Sequence, residues 1–285
     1  MLLAAADIAV TSAAPSATTA VWLVLTALAV LASAAVMAVI LGRLRAGLQV
    51  IAPRPHAPVS WNGFDVLQVL LIHFLVLAVG LTGFRLQDDA DKLIALSVFA
   101  NLATTAFAIA YLSLRGASLA DLGLASPRPA ADLLIAIAGV ALLVAPLLTM
   151  SVLLNAIVPY KHPLINFMHT HRDLWSIGTV VASAVVAAPL WEEFFFRRVL
   201  QGWLEKKLPA DDGRVAVVLA SALFAAAHVN QGLAFLPLFP LALVLGAIVR
   251  RTGSIVPCIL LHALFNAVSV ALLLWQTAAA ARPAG

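Results

Sequence analysis

Two adjacent glutamates, Glu192 and Glu193, lie inside an otherwise apolar stretch, and the whole chain contains only three glutamates. If this stretch is a helix, Arg197 lies four residues beyond Glu193, within reach of an ion pair, while Glu192 points about 100° away. The spacing predicts that one carboxylate is neutralised and that the other is free to act as a general base. The alternative is a helix end in the lipid headgroups, but the three phenylalanines that follow favour burial.

Two histidine motifs follow further along the chain. Phe224 and His228 are four residues apart near the end of an apolar segment, and His262 and Asn266 have the same spacing in the last long apolar segment. Residues four apart share one face of a helix. Each motif alone is a weak signal, because a single histidine is more often a packing residue, and His and Asn commonly hydrogen-bond neighbouring membrane helices.

A carboxylate, two imidazoles and a carboxamide together suit the hydrolysis of a peptide bond. A glutamate can take a proton from water, and histidine or asparagine can donate hydrogen bonds to an oxyanion. The sequence patterns of a serine hydrolase elbow and of the commonest zinc protease helix are absent. Zinc stays open, because Glu192, His228 and His262 would supply three ligands. The sole cysteine, Cys258, excludes an internal disulfide and a cysteine-rich zinc site.

The composition places these residues in a membrane. Of the 285 residues 63% are hydrophobic and 11% are charged, whereas a soluble domain carries about 25% charge. Since a helix needs about 20 residues to cross the bilayer core, we predict an integral membrane protein of the all-α class, a polytopic bundle of about eight transmembrane helices. The candidate segments are residues 21–41, 66–84, 93–114, 133–154, 174–196, 215–229, 233–249 and 255–275.

The expected organisation is a polar lead over residues 1–20, N-terminal transmembrane helices over 21–154, a catalytic membrane region over 174–275, and a tail over 276–285. The basic residues fall singly or in pairs between apolar runs, so the sequence contains no stripe that would bind nucleic acid. Lys and Arg are retained on the cytoplasmic side of membranes. If the chain crosses the membrane eight times, twelve Lys and Arg residues lie on one side and five on the other. The side with twelve is then cytoplasmic, which predicts that both termini are outside. The larger set is Arg43, Arg45, Arg54, Arg115, Arg128, Arg197, Arg198, Lys206, Lys207, Arg214, Arg250 and Arg251, and the smaller is Arg85, Lys92, Lys161, Arg172 and Arg282.

Depth in the bilayer can be counted from the charged end of each segment. At about 1.5 Å per residue, Glu192 and His262 would lie about 7 to 11 Å from the cytoplasmic ends of their spans. His228, counted from Arg214, would lie about 21 Å deep. The three residues can therefore converge only if the Arg214 end protrudes into the cytoplasm, the bilayer is thinned there, or the segment is short and re-entrant.

Three motifs, in their order along the chain, resemble the CAAX protease and bacteriocin-processing family (CPBP, also called Abi), including its type II prenyl-protein CAAX endopeptidases. They are Glu-Glu-x-x-x-Arg, Phe-x-x-x-His and His-x-x-x-Asn. The stretch from Thr252 to Ala267 also resembles the third family motif with its lead-in. The resemblance covers about residues 174 to 275, and every core motif position fits the family pattern.

This resemblance implies a role for each motif residue. Glu192 would be the general base and would work with His228 on the attacking water. His262 and Asn266 would polarise the scissile carbonyl. Members of the family have been called metalloproteases, while a metal-free glutamate mechanism is also proposed for the prenyl-protein members, so zinc held by the two histidines and Glu192 stays open and we prefer a site without a cofactor. The supporting residues would be Glu193, Arg197 and Phe224.

We therefore expect an intramembrane endopeptidase in a bacterial inner membrane, whose partners are the lipid bilayer and membrane-associated peptides, prenylated or of the leader type. One alternative is an inactive bacteriocin-immunity or scaffold protein of the same family. A second is a proton-coupled transporter that uses Glu192 and His262 as a relay. Transporters commonly have pseudo-symmetric halves, and the sequence shows none. Other polar residues in the spans are expected to form interhelical bonds or line a vestibule: Asp65, Gln68, His73 and Asn101.

Overall fold

The computed structural model consists of helices and turns, without a strand among the described residues, which confirms the all-α prediction. Parts of the predicted lead (residues 1–16) and tail (residues 281–285) lie outside the described residues, as do the basic residues Arg85, Lys161 and Arg282. The described residues are 17–83, 90–158, 167–168, 170–208 and 213–280.

Eight principal helices follow one another in the described part of the chain. Seven helical segments there are long and apolar enough to cross a membrane, so the protein is an integral membrane protein. The helices are α1 (Ala17–Arg45), α2 (Gly63–Gly83), α3 (Ala90–Leu114), α4 (Pro129–Ile157), α5 (Leu174–Lys207), α6 (Arg214–Ala226), α7 (Phe235–Thr252) and α8 (Val256–Ala280).

The short helix is α6. Its 13 residues give a length of about 20 Å, against a hydrocarbon core of about 30 Å. A 3₁₀ turn, Val229–Ala234, joins α6 to α7, and the two helices pack against each other. Gly232 at this turn has a φ of 72° and a ψ of −140°, a backbone conformation that is open almost only to glycine. Two of the predicted spans thus form a helical hairpin with one short arm.

Helix α5 is longer than the predicted segment 174–196 and contains 34 residues. The predicted end was wrong because the two arginines that follow it are buried in the protein, with Arg197 1% and Arg198 4% exposed. Arg197 pairs with Glu193 at 3.2 Å, and Arg198 donates to the backbone carbonyl of Asp121. Since both side chains are buried and have partners within the protein, the helix continues past them.

Helix α5 begins at a charged side-chain cap. Asp173 Oδ1 accepts the backbone N–H groups of Trp175 and Ser176 at 3.0 Å each. Its Oδ2 accepts the Ser176 hydroxyl at 2.6 Å. These hydrogen bonds, that of the Ser176 hydroxyl first, hold the pKa of Asp173 below its usual range. The cap fixes the start of the helix that carries both glutamates.

The loops at one end of the bundle bond to each other. The Arg54 N–H donates to the Arg251 carbonyl at 2.8 Å, and the Ile255 N–H donates to the Gly123 carbonyl at 2.9 Å. Lys206 Nζ, near the end of α5, donates to the Trp61 carbonyl at 3.1 Å. The connections after α1, α3 and α7 and the end of α5 therefore meet on one side, which is the side of the larger basic set.

Polar residues of α2 bond to neighbouring helices. The Tyr111 hydroxyl on α3 donates to Asp65 Oδ1 at 2.7 Å and also contacts Gln68 Oε1. The His73 ring stacks on Trp191 of α5, with centroids 4.2 Å apart. Asp65, Gln68 and His73 thus make contacts between helices. The backbone carbonyl of Asn101 instead accepts a hydrogen bond from the Thr105 hydroxyl within α3.

Candidate active site

The Glu192 carboxylate lies between two imidazole rings. Glu192 Oε1 is 4.0 Å from His228 Nε2, and Glu192 Oε2 is 3.8 Å from His262 Nε2. The Glu192 side chain is 20% exposed and that of His228 is 17% exposed, so the cluster is not fully enclosed. The structure thus brings together three predicted site residues from α5, the end of α6 and α8. Both separations are longer than a hydrogen bond.

His228 has a defined orientation. Its Nδ1 is 2.8 Å from the backbone carbonyl of Phe224. A carbonyl oxygen only accepts, so Nδ1 must carry the hydrogen of this bond. In the neutral ring the other nitrogen, Nε2, is then an acceptor, and this atom faces Glu192. The Phe-x-x-x-His spacing therefore selects the tautomer, because it places a carbonyl one turn before the ring.

The second histidine is oriented by the second glutamate. His262 is 3% exposed, and its Nδ1–H donates to Glu193 Oε1 at 2.8 Å. Its Nε2 again faces Glu192. Spacing along the chain predicted Arg197 as a partner of Glu193 and gave no signal for His262, which lies 69 residues away. A carboxylate that fixes an imidazole in this way is a common device in hydrolase sites.

Arg197 and Phe224 pack behind the cluster. The Arg197 side chain is fully buried, and its Nε donates to Glu193 Oε2 at 3.2 Å. Its guanidinium carbon lies 4.9 Å from the centroid of the Phe224 ring, within the range of a cation–π contact. The Phe224 ring is in turn 4.9 Å from the His228 ring and 6.0 Å from the His262 ring, centroid to centroid. One aromatic ring therefore touches the arginine and both histidines.

Asn266 follows His262 by one turn of α8, and part of its hydrogen-bonding capacity is already used. Its Nδ2 donates to the backbone carbonyl of Ala184, on α5, at 2.7 Å. A carboxamide nitrogen carries two hydrogens. One N–H of Asn266 is therefore engaged with α5 and the other is available for a second acceptor.

A histidine that the motifs did not include lies next to the cluster. His73 stacks on Trp191 with an interplanar angle of 13°, and Trp191 directly precedes Glu192 in the chain. Trp191 stacks on its other neighbour, Phe195, at 5.3 Å. The sequence gave His73 only as one of several polar residues in α2. No local pattern could have paired it with a tryptophan more than one hundred residues away.

Glu192 and His228 lie at similar distances from the basic ends of their helices. Glu192 lies 15 residues before Lys207, the end of α5, and His228 lies 14 residues after Arg214, the start of α6. At about 1.5 Å per residue, these distances are about 22 Å and 21 Å. The distance that the sequence predicted from Glu192 to the end of its helix was too short, because α5 continues to Lys207.

His262 lies closer to the start of its own helix, α8, than the other two residues lie to the ends of theirs. It lies only six residues after Val256, the start of α8, which corresponds to about 9 Å. The start of α8 is itself inside the protein, since Ser254 is 2% and Ile255 is 0% exposed. Helices α5 and α6 therefore extend beyond the start of α8, and the three residues meet although they lie at different distances from the ends of their helices.

The donor set is of a kind that zinc uses, but its atoms lie further apart than in a formed zinc site. Among the described residues, no group of three or more His, Cys, Asp or Glu side chains is arranged to hold a metal ion. A tetrahedral zinc with bonds of about 2.1 Å brings its ligand atoms to about 3.4 Å from each other. Glu192 is 3.8 Å and 4.0 Å from the two nitrogens. Glu192, His228 and His262 are the residues that would hold a zinc ion, which would polarise a bound water.

Part of the chain matches a known protein family. Residues 174–268 match the family described as type II CAAX prenyl endopeptidase Rce1-like. The match begins with α5, ends within α8, and includes both glutamates, both histidines and Asn266. No curated protein and no solved structure gives a significant match. The match confirms the resemblance in the motifs: residues 174–268, about a third of the chain, are similar to this family of CAAX-type proteases.

Proposed function

We propose that the protein is an intramembrane endopeptidase that hydrolyses peptide bonds with a water molecule activated by Glu192. The observation that carries this proposal is the position of the Glu192 carboxylate, 4.0 Å and 3.8 Å from the Nε2 atoms of His228 and His262. The family match supports a peptidase. The roles of the individual residues and the substrate are our inference.

The water would bind between Glu192 and His228. Both the Glu192 carboxylate and Nε2 of a neutral His228 are acceptors, because the His228 hydrogen is on Nδ1 and is bound to Phe224. One water can donate a hydrogen to each of them, which directs its lone pairs away from both. A gap of 4.0 Å is too long for a direct bond and suits a bridging water.

Proton transfer then follows a closed cycle. As the water oxygen attacks the scissile carbonyl carbon, Glu192 takes one water proton, and the carbonyl oxygen becomes an oxyanion. When the C–N bond breaks, the protonated Glu192 returns that proton to the leaving amine. The carboxylate is regenerated, and the products are a free carboxyl and a free amine. Within this cycle Glu192 is the general base and then the general acid.

The oxyanion would be stabilised from α8. The N–H of Asn266 that is not bound to Ala184 can donate to it. Nε2 of His262 can do the same when the ring carries both hydrogens, since Nδ1–H is already held by Glu193. In this arrangement Glu193 does not touch the substrate. It is a positioning residue that keeps His262 directed toward the reacting carbonyl.

The proposed substrates are membrane-associated peptides, either prenylated or of the leader type. The name of the matched family, a prenyl endopeptidase, supports the first class. Glu192 and His228 lie about 20 Å along α5 and α6 from the basic ends of these helices, which supports substrates held at the membrane. We propose a bacterial plasma membrane as the location, with the basic end of the bundle in the cytoplasm.

The test is cleavage by purified protein in proteoliposomes. Glu192→Gln keeps the size of the side chain and removes the base, so cleavage should fall at least about 100-fold while accumulation in the membrane stays normal. Glu205→Gln is the matched control, because Glu205 is the third glutamate of the sequence and lies outside the cluster, near the end of α5. The substrates would be a farnesylated CAAX peptide and an unprenylated leader peptide, each with a fluorophore and quencher.

Two results would overturn the proposal. Equal cleavage by Glu192→Gln and wild type would remove Glu192 from the mechanism. Absence of cleavage of either peptide by wild-type protein would reject both substrate classes and favour an inactive immunity or scaffold protein.

A further inference from the structure

A wide turn of α5 ends just before the two glutamates. Residues Ala182–Ala187 are π-helical, and at the end of this stretch the Ala188 N–H donates to the carbonyl of Ser183, five residues earlier. The next bond in this register would run from residue 189 to the Ala184 carbonyl. Residue 189 is a proline and has no N–H to donate. The proline therefore leaves the Ala184 carbonyl without its backbone donor.

Asn266 supplies the missing donor from another helix. Its Nδ2 donates to the Ala184 carbonyl at 2.7 Å. A carbonyl at membrane depth has no bulk water to accept from, so a donor there is strongly favoured. The pairing joins α8 to α5 two turns before Glu192.

The wide turn decides where the glutamates point. A π-turn holds one residue more than an α-turn, so it rotates everything after it by about 100° around the helix axis. Relative to the start of α5, an uninterrupted α-helix would turn Glu192 about 100° away from its direction between His228 and His262; a second π-helical stretch, Glu193–Leu200, begins at the next residue. The register of Ala182–Ala187 is thus a condition for the cluster.

We propose that Asn266 is a positioning residue that replaces the missing Pro189 donor and thereby holds the wide turn that directs Glu192 at the two histidines. The activity part of this inference rests on the proposed function. Its structural part, an energetic coupling between positions 266 and 189, does not. This role is distinct from hydrogen bonding to the substrate. It uses the Asn266 N–H that donates to α5, whereas the other N–H would donate to the substrate.

The test is a double-mutant cycle of Asn266→Ala and Pro189→Ala. Alanine at 189 restores a backbone N–H that can satisfy a carbonyl of the turn. Asn266→Ala should therefore lower the thermal midpoint in detergent by several degrees in wild type and by less than half as much in Pro189→Ala. Thr277→Ala is the matched control on α8, because the Thr277 hydroxyl donates within its own helix to Leu274 and lies away from the cluster. It should show no coupling to position 189.

The same cycle on kcat separates positioning from direct contact. If Asn266 acts through the turn, Asn266→Ala should lower kcat about 10-fold or more in wild type, with little change in KM. In the Pro189→Ala background, the same substitution should lower kcat distinctly less. Equal loss of kcat in both backgrounds would mean that Asn266 acts only on the substrate and would overturn the positioning role. Equal loss of thermal midpoint in both backgrounds would overturn the structural part.

A further variant covers the case in which Pro189→Ala does not accumulate. Asn266→Leu has a similar size and no hydrogen-bond donor in any protonation state, so it should lower the thermal midpoint. A midpoint equal to that of wild type would overturn the inference. Because thermal midpoints do not depend on catalysis, coupling observed together with an active Glu192→Gln would reject the proposed function and leave this inference standing.

Discussion

Glu193 Oε1 accepts a hydrogen bond from His262 Nδ1 at 2.8 Å, while its Oε2 accepts from Arg197 Nε at 3.2 Å. One fully buried carboxylate is thus shared between an arginine on its own helix and a histidine on α8. The two adjacent glutamates are not equivalent. Glu192 is partly exposed and has no direct hydrogen bond to either histidine, whereas Glu193 is enclosed and holds its neighbours in place.

Substitutions of the buried pair should act on stability first. Glu193→Gln leaves the Arg197 guanidinium buried without its counter-charge, and Arg197→Ala leaves the Glu193 carboxylate in the same state. Each should lower the free energy of unfolding by about 3 to 5 kcal/mol, because breaking one side of a buried pair leaves an uncompensated charge. The measurement is thermal unfolding of purified protein in detergent, together with the amount in the membrane.

The control for this prediction is the double variant Glu193→Gln/Arg197→Met. It removes both charges, so it should be less destabilised than either single variant. Wild-type stability of Glu193→Gln would contradict the buried pair. Full cleavage by Glu193→Gln would contradict its role in orienting His262.

The helices were predictable from local composition, and the bonds between them were not. Apolar runs such as 93–114 and 133–154 predict α3 and α4 well, because burial in lipid is decided by the residues of the run itself. The end of α5 was missed because a distant backbone carbonyl of Asp121 satisfies Arg198. Sequence spacing cannot reveal such a partner.

The candidate site shows the same division. The Glu193 and Arg197 contact lies within one helical turn and follows from spacing. The bond from His262 to Glu193 crosses 69 positions, and that from Asn266 to Ala184 crosses 82. The motifs could indicate that these residues belong together, but only the packing of α8 on α5 determines which atom meets which.

Metal content provides an independent prediction about the mechanism. If Glu192 activates water without a metal, purified protein should contain well under one zinc per chain, and chelators should inhibit cleavage weakly. Elemental analysis of the purified protein and cleavage assays with and without chelator measure this. One tightly held zinc per chain that is lost in both His228→Ala and His262→Ala would contradict the metal-free mechanism and indicate a three-ligand site.

The cap of α5 should make stability depend on acid pH. The pKa of Asp173 is held below its usual range by hydrogen bonds to the carboxylate. A lowered folded-state pKa contributes stability above the unfolded value and loses it as the pH falls through the folded value. Thermal midpoints of wild type and Asp173→Ala should therefore differ at pH 7 and begin to converge as the pH falls below about 4.

Ser176→Ala is the matched control for the cap. It removes the hydroxyl donor to Oδ2 and keeps the two backbone donors to Oδ1. Its loss of midpoint at pH 7 should be smaller than that of Asp173→Ala. A difference between wild type and Asp173→Ala that is the same at pH 7 and pH 3 would show that the charge of the cap has no part in stability.

The side and depth of the hairpin can be tested by cysteine labelling on intact cells. The background is Cys258→Ser, which removes the only cysteine; Cys258 is buried and its Sγ donates to the Leu245 carbonyl, a bond that a serine hydroxyl can replace. Lys207→Cys, at the basic end, should react with a membrane-impermeant thiol reagent only after the cells are opened. Labelling of position 207 from outside would reverse the orientation.

Asn230→Cys tests whether α6 ends within the bilayer. Asn230 lies in the 3₁₀ turn between α6 and α7, and an α6 of about 20 Å cannot carry that turn across a core of about 30 Å. Position 230 should therefore resist the impermeant reagent from both faces and react with a small permeant thiol reagent. Ready labelling by the impermeant reagent from outside would instead mean that the hairpin crosses the membrane, and Glu192 would then lie closer to the outer face than to the basic end.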